Sequence, residues 1–110
     1  MQFYRLYTGQ DGKSHFEELD QAANSEHFMA PLGVKALVFK NDQNRDDLAG
    51  WHTAPRPQWC ITLSGSVEIG IGDGTVKTFG PGDVFLAEDV TGEGHTARPK
   101  NWVRAFVHLD

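Results

Sequence analysis

The strongest constraint on this chain is the punctuation between Gln58 and Ala87, where short branched and aromatic runs alternate with residues that reverse a chain. Gln58–Leu63 reads as a strand by its alternation and β-favouring composition. Ser64-Gly65-Ser66 reads as a tight turn and Val67–Ile71 as the returning strand. Asp73-Gly74 is a hairpin turn of the kind whose central residues need positive φ, and Thr75–Phe79 pairs back after it. Pro81-Gly82 suits the centre of a type II turn, because proline fixes φ and glycine takes the positive value. Val84–Ala87 is the next apolar strand.

The flanks extend this pattern. Gly92–Gly94 allows a loop, His95–Ala97 begins another strand, and Trp102–His108 closes the chain as a strand. Pro55 and Pro57 break regular pairing and place their segment at a rim. Towards the N-terminus, Phe3–Tyr7 and Val34–Lys40 read as strands. Ser14–Leu19 is read as a strand in preference to one helical turn, although Ser14 and Glu17 match a capping box. Residues 20–31 are polar and irregular, and residues 41–49 form an exposed loop. Short strands at close spacing, with no long helical pattern, predict an all-β sandwich or closed barrel.

The 110 residues fit one domain, with residues 1–33 as an N-terminal arm with strands and residues 34–110 as the barrel core. A formal charge of −5 argues against a non-specific nucleic-acid binder and against docking on anionic membranes. No apolar run approaches the ~20 residues of a membrane span. The lone Cys60 forms no internal disulfide, and the first residues lack the apolar stretch of a signal peptide. The expected compartment is the cytoplasm.

On these residues the chain resembles the cupin superfamily, and within it the small single-domain cupin-2-like proteins. His52 stands where the family's first motif begins its histidine pair, Gln58 where it has a glutamate, and Gly65 where it closes with glycine. The Pro81-Gly82-Asp83 turn looks like the opening of the second motif, and His95 looks like its histidine. The departures are Ala54 for the second histidine, Gln58 for the glutamate, and Glu88 for a proline. The resemblance implies a double-stranded β-helix, or jelly-roll, barrel and a homodimer.

It also implies a lumen site. A cupin metal centre would here use His52, Gln58 and His95, with Glu88 as a possible fourth ligand and Asp89 or Glu93 as substitutes. If Gln58 points inward, Cys60 and Thr62 do as well. Trp51, Phe85 and Phe106 are candidate aromatic walls of a pocket. Cys60 would be a nucleophile only if a neighbouring histidine lowered its pKa; otherwise it is a small buried hydrophobe. Arg56 and Arg104 are read as surface residues, with pairing to an anionic ligand as the alternative. His15, His27 and His108 are assigned no role.

Two functions follow, beside a third reading as a structural dimer with a vestigial pocket that is compatible with either. In one, the lumen binds a small organic molecule without a metal. In the other, one divalent ion (Fe, Mn, Ni, Cu or Zn) supports a dioxygenase, isomerase or lyase reaction. Whether the protein is an enzyme is open at this point.

Overall fold

A computed structural model describes residues 1–20, 28–42 and 50–109. Most of the irregular segment and nearly all of the exposed loop expected from the sequence, with His27, lie outside the described residues. The described strands are β1 (Phe3–Thr8), β2 (Ser14–Glu18), β3 (Ala36–Asp42), β4 (Gln58–Gly70), β5 (Val76–Phe79), β6 (Val84–Glu88) and β7 (Thr96–His108). The fold is all-β. Among the described residues there is no helix, hence none long and apolar enough to cross a membrane.

The strands form one mixed sheet in the order β2-β1-β6-β4-β7-β3, with β5 paired to β4. The pairing path ends at β2 and β3, so the described sheet is not closed by hydrogen bonds. The N-terminal strands belong to their own chain's sheet. β1 runs parallel to β6 from Phe3 opposite Val84, and β2 runs antiparallel to β1. β3 starts two residues later than the sequence suggests, where Ala36 meets His108 of β7.

β4 and β7 form the central ladder, each with 13 residues. The sequence predicts a turn at Ser64-Gly65-Ser66, but β4 continues through it without reversing. The separate strands expected at either end of β7 are likewise one strand. Gly65 lies at a bulge, where the register with β7 shifts between Thr62, Ser64 and Ser66. Its φ is 67°, and a Cβ there would come within 2.1 Å of the Asn101 carbonyl oxygen. Glycine is therefore needed for close strand approach, not for chain reversal. Asn101 is itself left-handed, with φ of 50°.

The paired irregularity reverses side-chain parity on both strands. Before it, Cys60 faces the main core; beyond it, Val67 and Ile69 do. On β7, Ala97 faces that core at one end and Trp102 at the other. The opposite face of β4 carries Trp59, which packs with Leu19 and Leu86 in a second cluster. The bend also lets β4 change partners, from β6 at Gln58–Ile61 to β5 at Val67–Gly70. Leu6, Phe79, Phe85 and Trp102 thereby converge in one core from four strands.

The Pro81-Gly82 turn ties this ladder to the N-terminus. The Asp83 N–H closes the turn on Gly80 O at 3.0 Å, and Asp83 O accepts from the Thr62 N–H. The Asp83 carboxylate accepts from the Gln2 N–H at 2.7 Å, from the Gly80 N–H at 2.8 Å and from Gln2 Nε2 at 3.2 Å. Burial alone would raise its pKa, but the hydrogen bonds from Gln2 and Gly80 outweigh burial and hold it below the usual carboxylate value. The unfolded chain therefore takes up this proton first as pH falls, and the stabilisation is present above about pH 4 and lost below it. Asp83→Asn should lower stability by ~1–2 kcal/mol at pH 7. Thermal unfolding of the two proteins should converge as pH drops towards 3; a gap that stays constant with pH would exclude a role for the charge.

Candidate functional site

Two residues outside the long strands begin the site. His52 and His95 sit opposite each other in an isolated antiparallel bridge. Their backbones exchange both hydrogen bonds, His52 N–H to His95 O at 3.0 Å and His95 N–H to His52 O at 2.8 Å. Gly94 makes this approach possible: its φ is 81°, and a Cβ there would lie 2.1 Å from His52 O. The two imidazoles stand edge to face, with centroids 4.6 Å apart.

Each ring is oriented through Nδ1. The His52 Nδ1–H donates to Gly50 O at 2.8 Å. His95 Nδ1 lies 2.5 Å from Asp89 Oδ2, which also accepts from Ser14 Oγ at 2.7 Å. A carboxylate only accepts, so Nδ1 of His95 carries the hydrogen. In the neutral form of each ring, Nε2 is the nitrogen that carries the lone pair. Asp89 is fully buried, and both His95 and Ser14 are buried beside it. An imidazole fixed this way by a buried carboxylate can accept a hydrogen bond or a proton at Nε2.

The histidines stand at one part of a cavity of about 420 Å³, which also receives Gln58, Ala54 and Ala87. Its apolar walls include Phe85, Ile69, Trp102 and Phe106. Its size falls at the lower end of small-molecule sites. Arg104, Lys40, Arg56, His108 and Thr53 supply the remaining polar lining. The Arg56 guanidinium donates to His108 Nε2 at 3.2 Å. Partial burial, then the charges of Arg56, Lys40 and Lys35, lower the pKa of His108.

Of the residues expected in the pocket, His52, Gln58, His95, Phe85 and Phe106 line this cavity. Cys60 and Thr62 share the inward parity of Gln58 but are sealed beneath other side chains. Thr62 Oγ1 accepts from Trp102 Nε1 at 3.0 Å. Burial pushes the Cys60 thiol far up, against the lowering effect of Arg104, so it stays a thiol and packs as a hydrophobe. Trp51 is outside the lining and half exposed. Glu88 alternates away from Ala87 and Phe85, onto the face where Arg5 Nε binds it at 2.6 Å. Glu93 is exposed.

Sequence reasoning underrates Arg104 and misses Lys40 as a lining residue. Arg104 is 3% exposed, not a surface residue. The signal lies in WVRAFVH, where Trp102, Arg104 and Phe106 share one parity.

No family model matches the chain, and no curated protein matches it. The fold is similar to the crystal structure of protein NMB1881 from Neisseria meningitidis, with a TM-score of 0.54 at 14% identity, over 84% of this chain and 100% of that one. At this identity the likeness concerns the fold alone.

The described lining does not suit a divalent cation. Among the described residues no three His, Cys, Asp or Glu side chains gather as a ligand group. Imidazoles of His52 and His95 and the Gln58 amide bring no negative charge to a metal, and Arg104, Lys40 and Arg56 share their cavity. Such a set neither neutralises a dication nor shields it from neighbouring positive charge.

Asp89 is the residue on which the histidine geometry rests. Asp89→Ala should lower stability by on the order of 3 kcal/mol in urea unfolding, because it strips a buried donor pair of its acceptor. Ser14→Ala should cost about 1 kcal/mol. Equal midpoints for Asp89→Ala and the parent would mean the network contributes nothing.

Proposed function

We propose that this protein is a cupin-like barrel protein that binds a small organic molecule in its cavity. The observation that carries this reading is the cavity itself, about 420 Å³ with aromatic walls and His52, His95, Gln58 and Arg104 converging on it. The cupin-like part rests on the Pro81-Gly82-Asp83 turn, on His52 facing His95, and on Gln58 beside them. The divalent-metal enzyme is the weaker reading because of the cationic lining.

Thermal-shift screening of a broad metabolite collection tests the binding. A ligand held at 100 times its dissociation constant should stabilise the fold by about 2.7 kcal/mol. Ala87→Trp fills the cavity and should abolish the shift while the circular dichroism stays that of the parent. If no compound shifts the melting temperature at millimolar concentration, the reading fails.

We also propose that the protein pairs with a second copy of itself. On β3, Leu37 and Phe39 are 55% and 68% exposed and alternate with the cavity-facing Val38 and Lys40. β3 ends the described pairing path, and an apolar edge strand left bare invites association. Light scattering should give twice the chain mass, falling to one chain mass in Leu37→Asp/Phe39→Asp. A monomeric parent at 50–100 µM, about the range where a weak dimer would show, rules the pairing out.

A further inference from the structure

We infer that the cavity selects a small organic carboxylate with an apolar body, and that Arg104 and Lys40 hold its carboxylate. This rests on the small-molecule reading and names the ligand class.

The first support is register. β3 and β7 place Lys40 directly opposite Arg104, and both side chains reach the same cavity. Like charges at directly opposed positions of an antiparallel pair destabilise it. An anion between them would offset that cost. Arg56 adds a third cation to the lining, while the described lining contains no aspartate or glutamate. This positive concentration sits in a chain of formal charge −5, so it does not follow from composition.

The second support is preorganisation. Arg104 Cζ lies 4.1 Å from the Trp102 ring centroid and 5.1 Å from that of Phe106. Trp102 is itself fixed through Nε1 to Thr62. Stacking of this kind holds the guanidinium plane at the cavity wall. A planar fork held at a cavity wall matches a carboxylate. Lys40 Nζ lies 5.9 Å from the Phe106 centroid, bringing the second cation to the same wall.

The third support is the rest of the lining. Phe85, Ile69 and Ala97 offer an apolar body no hydrogen bonds. An inorganic anion would gain nothing from them. A phosphoester would call for further donors such as a helix N-terminus, and the described residues contain no helix. Nε2 of His52 and His95 and the Gln58 amide can bind a second polar group on the ligand.

Calorimetric titration with matched acids and primary amides tests this: benzoate with benzamide, phenylacetate with phenylacetamide, hexanoate with hexanamide, and inorganic phosphate alone. At least one acid should bind about tenfold or more tighter than its amide and than phosphate. Arg104→Met should remove that preference, and Lys40→Met should reduce it several-fold. If Arg104→Met does not fold, the exposed Lys40 carries the comparison. Equal affinity for acid and amide, phosphate binding as tight as the acids, or an unchanged preference in the folded variants overturns the inference. If no acid binds but neutral metabolites do in the broad screen, the carboxylate inference fails and small-molecule binding stands. If nothing binds in either assay, both fail.

Discussion

The close crossing of β4 and β7 at Gly65 and Asn101 is the constraint on which the architecture rests. Two long antiparallel strands would otherwise keep one set of parities from end to end. Left-handed residues on both strands reset the alternation. The ladder can then line the cavity with Gln58 and Arg104 at one end and with Ile69 and Ala97 at the other. It also bends β4 enough to exchange β6 for β5. The cavity lies beside that bend, so its walls come from both halves of each strand. A Cβ at Gly65 would meet backbone, which cannot rotate away as a flexible side chain can.

The rim of the site repeats the same device on a smaller scale. Gly94 permits the His52–His95 bridge by letting one backbone approach another closely. Asp89 and Ser14 then fix His95 from behind, and Ser14 belongs to β2, far from Asp89 in sequence. The N-terminal strands are therefore part of the site's support. They reach it through β1, whose start is pinned to the Asp83 turn.

Local chemistry made much of this legible in the sequence. The Pro81-Gly82 turn depends on residues within four positions of one another and is found where composition places it, whereas the hairpin turn expected at Asp73-Gly74 is centred one residue earlier, on Gly72-Asp73, with positive φ at Gly74 but not at Asp73. The runs at Phe3, Ser14, Gln58 and Val84 are strands for the same reason. The reading fails where a residue's role is set by a distant partner. Ser64-Gly65-Ser66 has turn composition, yet its glycine answers to Asn101 across the sheet. The placement of Cys60 needs depth as well as parity: it points inward but lies below the cavity floor. Arg104 is misread because charge predicts exposure on average, and only its alternation with Trp102 and Phe106 argues otherwise.

The positions at which the sequence differs from the cupin pattern it resembles can be read against the lining. Ala54, buried at 4% exposure, lines the cavity with a methyl group and offers no metal donor. Gln58 removes a negative charge while keeping an amide that donates as well as accepts. Glu88 is turned away to Arg5. Asp89 remains inside, but its Oδ2 is committed to Ser14 and His95. Ala54 and Gln58 thus bring no negative charge to the cavity and Glu88 faces away from it, while Lys40, Arg56 and Arg104 bring positive charge. Selection of an anion then needs no new backbone, since the stacked Arg104 uses the aromatic wall already formed by Trp102 and Phe106.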